Sequence, residues 1–162
     1  MRKFIVISIV LLMLAGFAIT SSAQLVTVTL FADQTLPVGT LTVEVVGTDL
    51  VVTYDIFGSG WELLETHIYV GVDPPSKSAP GRFPYVDDAT DGQYIRVYNL
   101  GVFTGTLCIA AHAEIGEVDV NGDPVVDEND EQFEETAWAL AEVGIPIGKG
   151  KNWATYFEFE VE

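Results

Sequence analysis

Two histidines are the residues of this 162-residue chain whose chemistry first draws attention. His67 lies in the run ETHIYVG and His112 in the run CIAAHAEI, and both runs are otherwise typical of buried β-strands. Alternate side chains of a strand share a face, so Glu65 accompanies His67 and Glu114 accompanies His112. If the two strands are neighbours in one sheet, both imidazoles and a carboxylate from Glu65, Glu114 or Glu135 could bind zinc or another transition metal.

A structural role is the alternative for the two histidines. Neither belongs to a local metal-binding spacing such as HxH or HxxxH, so a metal site depends entirely on how the strands pair. Half-buried imidazoles are commonly held by carboxylates and backbone groups instead. The sequence therefore predicts a structural polar cluster, with a metal-dependent enzyme as the weaker alternative. The residues of this cluster are Glu65, His67, His112 and Glu135.

An acidic segment, GEVDVNGDPVVDENDEQFEE, carries a second candidate site. Its oxygen-bearing residues at positions 1, 3, 5, 9 and 12 of a twelve-residue window are Asp119, Asn121, Asp123, Asp127 and Asp130. That spacing is typical of a calcium-binding loop, because alternate side chains of a curled loop can converge on one hard cation. Position 6, where such a loop needs glycine, is however Pro124. A β-hairpin with the turn NGD explains the same residues without a metal.

Aromatic residues next to turn elements form a third candidate site. Exposed tryptophans and tyrosines on a β-sheet can stack on sugar rings, but most such residues fill the core at strand ends. We therefore expect core packing and keep ligand stacking as the alternative. The residues concerned are Trp61, Tyr85, Trp138 and Trp153.

The first 23 residues resemble a secretory signal peptide. Arg2 and Lys3 precede an apolar run over residues 4–18, and Ser21 and Ala23 form a small-x-small cleavage signal before Gln24. The run is too short for a comfortable transmembrane span, so the mature protein is predicted to be secreted, to an extracellular or cell-surface location, without a membrane span. Cys108 is the single cysteine and is expected to be a small buried apolar residue rather than a reactive thiol.

The charge of the chain limits its partners. With 24 acidic residues, 7 basic residues and a formal net charge of −17, the protein is not expected to bind nucleic acid or anionic lipid. The same charge favours divalent cations, and calcium is a possible ligand outside the cell. Adaptation to high salt would produce the same composition, so acidity alone does not identify a metal site.

Alternation of apolar and polar residues predicts strands along most of residues 24–162. The stretch 40–56 is typical of a β-hairpin with GTD at its turn, and WATYFEFEVE at the carboxyl end alternates most regularly. Further strands are expected at 25–31, 66–72, 93–99 and 106–115. We predict one all-β domain, an antiparallel β-sandwich of jelly-roll or immunoglobulin-like type, with at most one short helix, in EETAWALAEVG.

One long loop is expected over residues 73–92, which contain four of the seven prolines. Phe83 and Tyr85 are its candidate anchors to the body of the domain. We see no internal repeat, linker or domain boundary.

Five pieces of the sequence together resemble a recurrent module of secreted and cell-surface proteins of bacteria and archaea. They are GWELLETHIYVG, PGRFPY, IAAHAEI, EETAW and GKNWATYFEFEV, in that order from Gly60 onward. The resemblance implies an extracellular β-sandwich without established enzymatic activity. It also implies that the histidines and glutamates inside these pieces form a shared structural cluster, whereas the acidic segment lies between the pieces and gains no support as a calcium site.

From these observations we predict a non-catalytic extracellular module with a structural, assembly or surface-interaction role and with calcium as a candidate ligand. Its expected partners are further copies of itself or other cell-surface components. The amino-terminal strand QLVTVTLF could pair in its own sheet or be donated to a neighbour. A carbohydrate-binding module with a glycan ligand is the alternative function, and a metal-dependent enzyme is the third.

Overall fold

The computed structural model describes residues 24–57, 60–142, 144–148 and 153–162, with the backbone alone for residues 90–93. The predicted signal peptide lies outside the described residues. The described residues form a short 3-10 helix, Pro80–Arg82, and ten strands. The strands are β1 (Leu25–Ala32), β2 (Leu36–Val46), β3 (Asp49–Ile56), β4 (Trp61–Gly71), β5 (Tyr85–Gln93), β6 (Ile95–Val102), β7 (Gly105–Glu117), β8 (Glu134–Leu140), β9 (Ile145–Pro146) and β10 (Thr155–Val161).

The strands pair antiparallel in one sheet, in the order β5-β4-β7-β8-β1-β2-β3-β6. Strand β7 is long enough to pair with β10 through its first half and with β8 through its second half. The sheet curves until it is nearly closed into a barrel. Side chains join its two ends, where Arg96 on β6 pairs with Asp87 on β5 and the Tyr98 hydroxyl bonds to Thr66 on β4. The prediction of an all-β antiparallel fold is therefore confirmed.

The main core fills the concave side of the sheet. Alternate residues of the hairpin β2–β3 point into it, including Leu41, Val43, Val52 and Tyr54, as the sequence pattern predicts. Strands β7 and β10 contribute their inward-facing residues, and Phe157, Phe159 and Val161 are buried as expected. Because one face of nearly every strand is apolar, burial of that face fixes the register of the whole sheet.

A second, smaller cluster lies on the convex side, over β4, β7 and β8. It contains Phe83, Cys108, Trp138, Ile147 and Tyr156, and Tyr69, Ile145 and Trp153 pack against it. The connecting segments before β5 and around β9 pack over this cluster and shield it from solvent. Trp153, predicted to face the same core as Phe157, belongs to this outer cluster instead.

Two predicted elements differ in the structure. The expected loop over residues 73–92 becomes strand β5 from Tyr85 onward, because the aromatic and Val-containing run YVDDATDG can pair with β4 despite its charges. Phe83 is buried, so its predicted role as an anchor is confirmed, and Tyr85 packs against the main core. The candidate helix in EETAWALAEVG is strand β8, where pairing with β7 and β1 on both edges outweighs helix propensity. Within the described residues, no helix has the length and apolar character to cross a bilayer.

Tyr54 ties opposite walls of the sheet together. Its ring is fully buried, and its hydroxyl shares its one proton between the carbonyl oxygens of His67, 3.0 Å away, and His112, 3.1 Å away. Burial raises the pKa of Tyr54 well above its usual value, so the hydroxyl keeps its proton and remains a donor. Strand β3 is thereby fastened to the point where β4 and β7 pair.

Replacing Tyr54 with phenylalanine should lower the free energy of unfolding by about 1 to 3 kcal/mol, because the buried hydrogen bond shared by the two carbonyls is lost. Urea denaturation followed by tryptophan fluorescence measures the change. Tyr85→Phe is the matched control, since the described part of the chain gives the Tyr85 hydroxyl no hydrogen-bond partner. Equal losses in both variants would contradict the role assigned to the Tyr54 hydroxyl.

Candidate functional site: a buried histidine pair beside two glutamates

The pairing of β4 with β7 brings the two histidines together. His67 lies directly opposite His112, and Glu65 lies directly opposite Glu114, so the four side chains form two adjacent rows on the convex face. The neighbouring strands extend these rows, with Trp138 of β8 next to His112. The approach of the imidazoles expected for neighbouring strands is therefore observed.

The imidazole rings are in contact and almost completely buried. Their centroids are 5.2 Å apart with planes tilted by 55°, and each residue is 3% exposed. Trp138 stacks edge-on against His112 at 5.0 Å, and Phe83 packs against Trp138. The aromatic side chains of the outer cluster thus close off the histidine pair on one side.

Three of the ring nitrogens lack a hydrogen-bond partner. They are Nδ1 and Nε2 of His67 and Nδ1 of His112, and all three are inaccessible to solvent. The closest charged group is the Glu65 carboxylate, 3.5 Å from Nε2 of His67, a separation within ion-pair range but without hydrogen-bond geometry. Buried polar atoms in folded proteins are nearly always satisfied, so these nitrogens require an explanation.

His112 is held neutral by its surroundings. Burial, together with the nearby ring of His67, lowers the pKa of His112 from 6.5 to about 3. The imidazole therefore carries no charge at neutral pH and can offer a lone pair to a donor or to a metal ion.

The carboxylates of Glu65 and Glu114 complete the cluster. One ligand atom from each of Glu65, His67 and Glu114 lies within 4.8 Å of the other two, and both glutamates are partly exposed. Asp88 of β5 lies opposite Glu65 on its other side. Three acidic residues thus occupy consecutive cross-strand positions beside the histidine row.

Glu135 does not take the place predicted for it. It pairs with Ile115, one residue out of phase with the face that carries His112 and Glu114, and it is exposed. Glu114, which the sequence analysis names as an alternative carboxylate, lies in the cluster instead. The sequence carried the signal for Glu114, since it lies two positions after His112 and alternate residues of a strand share a face.

The predicted stacking aromatics serve mainly as packing residues. Trp138 is buried, Trp61 and Tyr85 pack against the main core, and Trp153 packs on the outer cluster with its ring at 70° to that of Trp138. Cys108 is buried as predicted, and burial raises the pKa of its thiol, which keeps it in its unreactive protonated form.

The acidic segment folds as two consecutive turns of the same design. In the first turn, Oδ1 of Asp119 accepts the backbone N–H groups of Asn121 and Asp123, and Oδ2 accepts the Asn121 amide. In the second turn, Asp127 makes the same three contacts with Asn129 and Glu131. These hydrogen bonds lower the pKa of both Asp119 and Asp127.

The two turns reveal an internal repeat that the sequence analysis did not find. The units VDVNGDPV (residues 118–125) and VDENDEQF (residues 126–133) are eight residues each. Gly122 and Asp130, at equivalent positions, both have positive φ angles, 84° and 69°. The repeated Val-Asp-x-Asn was the signal for this repeat, and the NGD turn of the first unit is as predicted.

A closed circuit of backbone hydrogen bonds joins the bases of the two units. Val125 N–H donates to the Glu117 carbonyl, Phe133 N–H to the Val125 carbonyl, and Glu117 N–H to the Phe133 carbonyl. The Gln132 amide then donates to the carboxylate of Glu62 on β4 and to the Glu117 carbonyl. The repeat is thereby fastened to the end of the barrel.

The predicted calcium ligands are divided between these two turns. Asp119, Asn121 and Asp123 belong to the first and Asp127 and Asp130 to the second, and the carboxylates of Asp119 and Asp127 already accept hydrogen bonds. Among the described residues, three acidic or histidine ligand atoms converge within 4.8 Å at Glu65, His67 and Glu114, not in this segment. Calcium binding at the segment stays a prediction that this arrangement does not favour.

Comparison with known proteins adds no relative: no protein-family model, curated protein or solved structure matches the chain.

The neutral state of His112 predicts a pH dependence of stability. The unfolded chain takes up a proton at His112 near pH 6.5, whereas the folded chain does so only near pH 3. Stability is therefore complete above pH 6.5 and is lost as the pH falls towards 3, by about 2 kcal/mol between pH 6.5 and 4.5. Urea denaturation in a chelating buffer should show this loss in the wild type but not in His112→Gln, and equal pH slopes would refute it.

The two acidic turns predict a pattern of amide hydrogen exchange. In Asp119→Ala, the amides of Asn121 and Asp123 should exchange several-fold faster because they lose their acceptor, while those of Asn129 and Glu131 keep their protection. Asp127→Ala should give the reverse pattern, so each variant is the control for the other. Similar acceleration in both turns from either substitution would mean that the turns do not form independently.

Proposed function

We propose that this chain is a non-catalytic module with a structural or surface-interaction role outside the cell, as its resemblance to secreted β-sandwich modules suggests. The main support is the burial of the two histidines. An enzyme centred on them would need an open cleft, whereas His67 and His112 are each 3% exposed and Trp138 lies against His112. The chemistry-bearing side chains therefore serve the fold more readily than a substrate.

The carbohydrate-binding alternative has less support. Stacking on a sugar requires exposed aromatic rings in a common plane, and the candidate rings are packed on one or other core. Trp138 and Trp153 in particular are close to perpendicular.

Strand β6 is the surface that we propose for the interaction. Among the described residues β6 forms backbone pairs with β3 alone, and side chains bridge its other edge to β5 and β4. The contact surface that we propose is therefore the outward face of β6. Its outward side chains Ile95 and Val97 are 57% and 58% exposed. By contrast, β1 pairs with both β2 and β8, and its donation to a neighbour would first require loss of these pairings.

Sedimentation velocity of the purified protein, first in chelator and then in millimolar calcium, tests this proposal. We expect species larger than the monomer, or binding of the labelled protein to cell envelopes of its source, because the outward face of β6 carries exposed apolar side chains. Val97→Lys should weaken the association, since a charge in place of an exposed apolar side chain opposes burial of that face. Val120→Lys is the control, because Val120 is fully exposed on the acidic repeat and lies outside β6.

A monomer in both buffers that also fails to bind envelopes would contradict an interaction role. Association that Val97→Lys and Val120→Lys weaken equally would place the contact away from β6. Loss of association in calcium-free buffer alone would instead direct attention to the acidic repeat.

A further inference from the structure

We propose that Glu65, His67 and Glu114 bind a divalent transition-metal ion, with zinc as the reference case, and that the ion joins β4 to β7. This inference goes beyond the structural role proposed above, because it names a cofactor for the module. It does not depend on whether the protein associates with itself or with a cell surface.

The geometry of the three side chains fits a metal centre. Their ligand atoms lie within 4.8 Å of one another, and Nε2 of His67 is 3.5 Å from Oε2 of Glu65. Ligands bound tetrahedrally to zinc at its usual bond lengths are about 3.3 Å apart. Small side-chain rotations of the two glutamates would therefore complete the coordination while the strands stay in place.

The unpartnered nitrogens of His67 are the second argument. Both ring nitrogens are buried without a hydrogen-bond partner, although the ring lies beside two carboxylates. A metal ion bound to one nitrogen would satisfy a lone pair that otherwise has no use in a buried site. The neighbouring His112, whose Nδ1 is also unpartnered, is the nearest further nitrogen donor.

The arrangement of negative charge is the third argument. Glu65 lies directly opposite Glu114 and also opposite Asp88 of β5, so like charges face each other at consecutive positions across three strands. Such pairs repel one another and destabilise a sheet. A divalent cation between Glu65 and Glu114 would convert this repulsion into attraction.

The donor set selects the class of ion. One imidazole nitrogen with two carboxylate oxygens suits zinc and related transition metals, whereas calcium takes six to eight oxygen ligands. A surface cleft of about 250 Å³, lined by Glu114, Glu134, Glu135 and Thr136, adjoins the site and gives a cation an acidic approach.

Zinc titration of the chelator-treated, dialysed protein by calorimetry is the decisive experiment. We expect one zinc ion per chain, a higher melting temperature with zinc than with calcium, and a visible absorption band when cobalt replaces zinc. Glu65→Gln and Glu114→Gln should each weaken zinc binding at least about tenfold. Glu135→Gln is the matched control, because Glu135 lines the same cleft but is not one of the three ligands, and it should bind zinc like the wild type.

Each contrary result would overturn the proposal. No stoichiometric binding of zinc or cobalt by the wild type would mean that Glu65, His67 and Glu114 do not form a metal site. Binding that survives both glutamine substitutions would place the ion elsewhere. If a variant fails to fold by circular dichroism, the imidazole NMR signals of the wild type decide, since zinc must shift those of His67.

Discussion

The pairing of β4 with β7 is the interaction on which the rest of the structure depends. Because side chains alternate along a strand, a slip of one residue would send His67 and His112 into the main core and expose Ile68 and Ile115. The hydrogen bonds of the Tyr54 hydroxyl depend on this register, since they require the carbonyls of the two paired histidines to lie side by side. Ala111 and Ala113, the inward neighbours of His112, have small side chains that leave room in the main core for the Tyr54 ring.

The two faces of β7 meet opposing physical demands. Its inner face is apolar from Leu107 to Ile115 and gains stability by leaving water, whereas its outer face buries an imidazole that would be better solvated. The low pKa of His112 and the unpartnered ring nitrogens both show that the imidazoles have lost their contact with water. Sites where local chemistry works against stability are commonly the ones that a protein retains for a purpose, either a bound group or a specified arrangement of strands.

Alternation along the chain predicted most of the strands, and with them the burial of the hairpin β2–β3 and of β10. It failed where charged residues lie in a strand, as in β5, and where a short segment such as β8 gains its stability from neighbours on both edges. The histidine pair could be anticipated only as one outcome of an unknown strand order, since residues 67 and 112 are far apart in sequence. Glu135 was misplaced because the phase of β8 relative to β7 is set by backbone pairing, which leaves no local trace in the sequence.

The acidic repeat is built so that its length can change in whole units while β7 and β8 stay paired. Each eight-residue unit begins and ends at the same ring of backbone hydrogen bonds, in which Glu117, Val125 and Phe133 are equivalent members. Removing one unit would turn the ring of three into an ordinary pair, and adding one would enlarge it to four, while β7 and β8 keep their register. Evolution of this segment is therefore expected to proceed by duplication and deletion of whole octapeptides, with the negative charge at that end of the molecule changing in matching steps.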